Sequence, residues 1–303
     1  MTTFTSYDGT TLAYTEQGAG PRLVCLPGGP GRASAYLEDL GGLTAQRSVV
    51  RLDLRATGHS EVPADPSSLR FDRQADDVEA LRVHLGEERI ALLGHSAGTL
   101  VAQAYAARFP DRLSSLVLVT PTARLQGGAR DDVPQIRASR SGEPWYAEAA
   151  EAAEALDAAA AAGRPAPGNQ QAPALQQAPA VQQAPALQQV LWRAVRPFMY
   201  GRWDERTQAH AATADRQSSK RAELGFGAGF ADDERDALMA ALKAVSAPVL
   251  VIGGERDALT GVEAAHLVAA SFPGARTVVI PRAGHFPWVD EPDAFRAALA
   301  DLP

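Results

Sequence analysis

Short apolar runs recur along this chain, and stretches with helical spacing separate them. Phe4 to Ser6 and Thr11 to Thr15 flank Asp8-Gly9, which predicts a hairpin. Leu23 to Leu26 reads as a buried strand ending in Pro27-Gly28-Gly29-Pro30-Gly31. Val49 to Leu54 is a second apolar strand, followed by a loop from Arg55 to Ser60. Phe71 to Leu85 predicts a helix with Val78, Leu81, Val83 and Leu85 among its apolar positions. Ile90 to Leu93 predicts a strand, and the amphipathic stretch after Gly98 a helix. Leu116 to Val119 gives a further strand.

This alternation stops near Pro121 and resumes at Pro248. Val249 to Gly254 then reads as a strand, Val262 to Ser271 as a helix, Thr277 to Ile280 as a strand, and Pro292 to Leu299 as a final helix. Strands alternating with helices at this rhythm imply an α/β fold, with parallel pairing and helices on both faces. The pattern divides the chain into a core of residues 1–121 and 244–303 and an insertion of residues 122–243. We expect the insertion to be a helical cap over the carboxyl ends of the strands, where open α/β sheets bind ligands. Within it, Gln170 to Gln189 repeats QQAPAL or QQAPAV every six residues. Its prolines interrupt long helices, and the tract is too short and polar for a solenoid. The expectation for about 164–189 is an extended, partly polyproline-like surface loop.

Composition narrows the function classes. The 303 residues are 46% hydrophobic and 21% charged, enough for a sizeable core. Net charge is -7, and no basic run or Lys/Arg-rich helix suggests a nucleic-acid partner. Cys25, the one cysteine, lies in an apolar run, so a buried inert thiol is expected rather than a disulfide or a cysteine metal cage. The first residues do not read as a signal peptide, and no segment reaches the roughly 18 consecutive apolar residues of a membrane helix. A cytoplasmic protein without a membrane partner is expected. No dinucleotide fingerprint, Walker loop or H-E-x-x-H helix is present, and no metal is predicted.

Candidate chemistry starts at Gly94-His95-Ser96-Ala97-Gly98, where the strand meets the helix. A serine on so tight a turn sits in strained backbone, and small residues on either side let strand and helix approach each other. Ser96 is the candidate nucleophile. A serine hydroxyl needs an adjacent base, and the base needs a carboxylate to hold its tautomer. Asp257 follows the strand VLVIGG, and His285 follows the strand TVVIP. The order Ser96, Asp257, His285 brings three distant residues to one edge of the sheet. Glu255 is the rival carboxylate and His59 a rival base; His84, His95 and His266 read as packing or surface residues. Two N–H donors should hold an oxyanion. Ala97 follows the nucleophile, and Gly29 lies in the glycine-rich loop after the first buried strand. Trp192, Phe198, Tyr200, Trp203, Phe226 and Phe230 could line a substrate pocket beneath the cap or form the cap's own core.

These motifs resemble an α/β-hydrolase of the proline iminopeptidase group. The resemblance is carried by Pro27-Gly28-Gly29-Pro30-Gly31, Asp53-Leu54-Arg55-Ala56-Thr57-Gly58-His59-Ser60, Gly94-His95-Ser96-Ala97-Gly98, Gly254-Glu255-Arg256-Asp257 and Gly284-His285. It implies a mostly parallel central sheet of about eight strands, a helical cap and cofactor-free hydrolysis of a small molecule or short peptide. Pro27 stands where the group usually has His, and Leu54 and Ala56 stand where it has Gln and Gly. Ala258 directly follows Asp257, where several members carry a Glu that helps hold the substrate's free amino terminus. That function would then fall to cap acids such as Asp204, Glu205, Asp232 or Asp233. The leading expectation is a serine hydrolase for a small ester, lactone or amide. The alternatives are a proline-releasing aminopeptidase and a hydrolase-fold ligand receptor with little turnover.

Overall fold

The computed structural model describes residues 1–128, 131–162 and 185–302. Eight strands form one sheet: β1 Thr2–Thr5, β2 Thr11–Gln17, β3 Arg22–Leu26, β4 Ser48–Leu52, β5 Ile90–His95, β6 Leu113–Val119, β7 Val249–Gly254 and β8 Arg276–Ile280. Their spatial order is β1-β2-β4-β3-β5-β6-β7-β8. The hairpin β1–β2 is antiparallel, as is β2 on β4; all later pairs are parallel. The all-buried run of β5 suits a parallel strand covered on both faces.

Side chains alternate between two cores. Val24, Leu26, Leu92, Leu116, Leu118 and Val251 pack on one face with helices α1 (Ala75–His84) and α2 (Gly98–Arg108). Leu23, Cys25, Leu93, Val117, Val119 and Ile252 pack on the other with Tyr36, Trp288 and Phe295. This is the period of two that a pleated strand imposes. Burial pushes the Cys25 thiol far up, which keeps it protonated and inert.

The predicted helix over 71–85 begins only at Ala75, and Val83 is exposed rather than apolar packing. Val78 and Leu81 share one face; Val83 falls outside it. Between β6 and β7 the named elements among the described residues are helical, and Ser218 makes an isolated β-bridge with Arg32. The helical elements include α3 (Val133–Ala138), α4 (Tyr146–Ala162), α5 (Pro185–Ala194), α6 (Glu205–Ala212), α7 (Ala214–Gln217), α8 (Lys220–Gly225) and α9 (Asp232–Ala241). The inserted helical cap is therefore present. One expectation is corrected: residues 185–189 are not extended loop but the first turn of α5. Pro185 opens that helix, the position where a missing N–H and fixed φ cost nothing. The rest of that expected loop, 164–184, lies outside the described residues. After β7 come α10 (Gly261–Ala269), α11 (Pro287–Asp290) and α12 (Pro292–Ala298).

Candidate active site

Strand β5 ends at His95, and the chain turns into α2 within three residues. Ser96 takes φ +51°, the left-handed region that L side chains avoid. Tight packing enforces the turn. A Cβ on Gly94 would lie 2.7 Å from the Gly98 carbonyl oxygen, and one on Gly98 would lie 2.6 Å from that of Leu26. Both obstacles are backbone. The Ser96 side chain is held at the carboxyl edge of the sheet and is 8% exposed. Its hydroxyl makes no hydrogen bond among the described residues and is not a sealed atom.

Asp257 and His285 arrive at the same edge, beyond the ends of β7 and β8. Asp257 Oδ2 accepts from His285 Nδ1 at 2.8 Å and from the Thr260 hydroxyl at 2.6 Å. Its Oδ1 accepts the backbone N–H groups of Leu259 at 2.9 Å and Thr260 at 3.1 Å. Burial alone would drive this carboxyl toward its neutral form. The His285 charge and these donors outweigh burial and hold it below the usual carboxylate range. An ionised Asp257 can only accept from Nδ1, so in the neutral ring the proton sits on Nδ1 and Nε2 keeps a lone pair. Such a nitrogen can take a proton from a hydroxyl.

The rivals lie elsewhere. Glu255 accepts the Arg282 N–H at 2.8 Å in an exposed loop. The His59 side chain is 68% exposed, 3.6 Å from Asp53. His84 packs against Phe4 and Tyr14, and His266 is exposed.

The glycine-rich loop after β3 lies against the nucleophile. A Cβ on Gly28 would meet the Ser96 Cβ at 2.8 Å and the Ala97 nitrogen at 3.2 Å. The Gly28 N–H is already used, donating to the Tyr36 hydroxyl at 2.6 Å. The Gly29 and Ala97 N–H groups donate to no group among the described residues. Gly29 adopts φ +123°, which excludes other residues.

His95 ties this loop to His285. Its Nε2 lies 2.9 Å from the His285 carbonyl oxygen, which also accepts the Thr120 hydroxyl at 3.0 Å. Burial, with the nearby His285 charge second, holds His95 well below the ordinary histidine range. Tyr36, His210, Asp290 and Arg32 join the surroundings of the site; no spacing in the sequence signals them.

The candidate pocket aromatics separate. Phe198 is buried with Ala149, Ala153 and Ala258, and Tyr200 is buried against Phe286 and His210. Trp203 is partly buried beside Tyr200, and Trp192 on α5 is 39% exposed. Phe226 and Phe230 pack on Phe71 beside the main core. The cap acids point to solvent: Asp204 caps α6 and pairs with Arg202, Asp232 pairs with Arg235, and Glu205 and Asp233 are exposed.

The alpha/beta hydrolase fold family matches residues 21–292. The chain belongs to this family. Proline iminopeptidase from Heyndrickxia coagulans is 32% identical over 108 residues, which are 36% of this chain and 38% of that protein. The matched stretch thus spans little more than a third of that relative. Among solved structures, proline iminopeptidase from Mycobacterium smegmatis has a TM-score of 0.68 at 21% identity, covering 99% of this chain and 96% of that one. The esterase EaEST from Exiguobacterium antarcticum has a TM-score of 0.65 at 17% identity, covering 99% of this chain and 97% of that one. These two likenesses establish the fold. No helix among the described residues of this α/β-hydrolase-fold chain is long and apolar enough to cross a membrane.

Proposed function

We propose that this chain is a serine hydrolase that cleaves a small ester, lactone or amide through an acyl-enzyme. Ser96 attacks the carbonyl carbon while His285 Nε2 takes its proton. Asp257 holds the imidazole and stabilises its cationic form. The Gly29 and Ala97 N–H groups hold the oxyanion. His285 then gives the proton to the leaving group, and water resolves the acyl-enzyme by the same steps. The observation that carries this reading is the buried Asp257–His285 pair at 2.8 Å, at the sheet edge where Ser96 is forced to φ +51°.

The proline iminopeptidase relatives support a second reading, an aminopeptidase. Charge weighs against it. Ala258 is 1% exposed in an apolar cluster, and the four cap acids considered for an amine are turned to solvent. A buried ammonium without a carboxylate is costly.

The test is a substrate panel with Ser96→Ala as control. The protein should hydrolyse p-nitrophenyl esters and take a fluorophosphonate label, and Ser96→Ala should lose both. Labelling that survives in Ser96→Ala would overturn the assignment. Preference for proline p-nitroanilide over p-nitrophenyl acetate would move the reading to the aminopeptidase.

A further inference from the structure

Arg32 ends the glycine-rich loop and is 7% exposed. Its guanidinium lies 4.0 Å over the Tyr36 ring and 5.8 Å from the Phe286 ring. Nε donates to Gln217 at 3.0 Å and Nη2 to the Thr213 hydroxyl at 2.8 Å. Both acceptors are neutral. Nη1 donates to no group among the described residues, and it is not among the sealed polar atoms. Among the described residues no carboxylate pairs with this cation. Glu38 attracts it only through space, while Arg196, itself paired with Asp215, repels it.

A buried guanidinium stays charged, and a counter-charge offsets the cost of taking it out of water. Here it stands between the loop that carries Gly29 and the ring that follows His285. The buried carboxylates of the surroundings are engaged elsewhere, Asp257 with His285 and Thr260, Asp290 with the Gly201 and Gly284 N–H groups and Asp53 with Ser34, while the cap acids face solvent. Local charge therefore favours an incoming anion over a cation.

We propose that Arg32 is a specificity-determining residue that binds a carboxylate on the acyl part of the substrate through Nη1. This rests on the serine-hydrolase reading. The acyl side follows from the loop. Gly29 would hold the acyl carbonyl oxygen, and a Cβ built on Gly29 would lie 2.7 Å from the Arg32 nitrogen. The Arg32 N–H also donates back to the Gly28 carbonyl at 3.2 Å. The cation and the oxyanion donor are thus parts of one tight turn.

The test compares p-nitrophenyl hemiglutarate with p-nitrophenyl valerate, which have equal chain length and differ in one terminal charge. The wild-type kcat/KM should be at least about tenfold higher on hemiglutarate. Arg32→Gln should erase that preference chiefly through KM, and Arg32→Lys should restore part of it. Should Arg32→Gln not fold, inhibition of the wild-type protein decides: glutarate should compete with the valerate ester at least about tenfold better than pentanamide. A wild-type protein that takes a fluorophosphonate label but shows no preference for the anionic ester or inhibitor overturns the proposal alone. Equal losses on both esters in Arg32→Gln overturn it too, making Arg32 a brace to Thr213 and Gln217. Absence of both labelling and turnover sinks the hydrolase reading and this proposal with it.

Discussion

The hydroxyl of Tyr36 donates its hydrogen to Nδ1 of His95 at 2.7 Å. The direction follows from the partners. His95 Nε2 faces the His285 carbonyl, which can only accept, so Nε2 carries the proton and Nδ1 the lone pair. The Tyr36 oxygen accepts in turn from Gly28. One polarised chain thus runs from the glycine-rich loop through Tyr36 and His95 to the backbone of His285. A second chain of the same kind reaches Tyr36 from the cap. The Tyr200 hydroxyl donates to His210 Nδ1 at 2.7 Å, and His210 Nε2 donates to the Tyr36 carbonyl at 2.9 Å. Burial holds His210 down at about 4, so this relay also runs through a neutral ring.

Removal of the Tyr36 hydroxyl should therefore injure both stability and turnover. Tyr36→Phe keeps the ring but strands the Gly28 N–H and His95 Nδ1. Two buried polar groups without partners cost about 2–4 kcal/mol together. The loop that presents Gly29 loses its tether, so kcat should fall about tenfold or more with KM little changed. Urea unfolding and steady-state ester hydrolysis measure the two effects. Wild-type kcat in this variant would show that the loop holds its place without the hydroxyl.

Asp257→Asn should leave the fold intact and cut kcat by about 10³–10⁴-fold. An amide at this site can present N–H to His285 and force its proton onto Nε2, where the serine's proton must go. Fluorophosphonate labelling should slow in proportion, and circular dichroism should be unchanged. Retention of more than about a tenth of the wild-type rate would remove Asp257 from the role assigned to it.

The elements legible in the sequence are those whose pattern is local. Every sheet strand was visible as an apolar run or, for β1 and β2, as a hairpin around Asp8-Gly9. The elbow was legible because backbone contact dictates its glycines, and Asp257 and His285 because each directly follows a strand. The Tyr36–His95 and Tyr200–His210 pairs were not: each joins residues with no common spacing, and only the folded chain brings the partners together. His95 read as a packing residue, yet it bonds at both ring nitrogens. The start of α5 is not legible, because prolines in the repeat signal a break, whereas Pro185 stands where a helix can begin.

The two glycines of the elbow should be far less replaceable than a glycine in open space. Gly94→Ala and Gly98→Ala each place a methyl group within 2.7 Å of a backbone carbonyl, which cannot swing aside. Each should cost about 2–4 kcal/mol and disturb Ser96. Gly142 has nothing within 4 Å of an added Cβ and no left-handed φ, so Gly142→Ala should stay within about 0.5 kcal/mol of wild type. Thermal unfolding of the three variants side by side tests the contrast. Equal shifts would mean that the elbow relaxes more readily than its contacts imply.

Asp290 predicts a pH dependence of stability that does not involve the candidate nucleophile. Its Oδ2 accepts the N–H groups of Gly201 at 2.9 Å and Gly284 at 2.8 Å, joining the cap to the His285 loop. Its Oδ1 is sealed without a partner. Burial pushes this carboxyl up to about 6, and the two N–H donors only partly oppose it. In the unfolded chain it titrates near about 3.9. Between those values the folded protein holds a proton that the unfolded chain has released, so this group's contribution to stability falls as pH rises from about 4 to about 6. Above that range it changes no further. Asp290→Asn keeps an oxygen for Gly201 and Gly284 and removes the charge. The variant should be more stable than wild type at pH 8 by about 1–2 kcal/mol, and the gap should close near pH 4, where the wild-type carboxyl is protonated. Urea melts of both proteins from pH 4 to 8 provide the measurement; parallel curves across that range would show that Asp290 ionises in the folded protein without penalty.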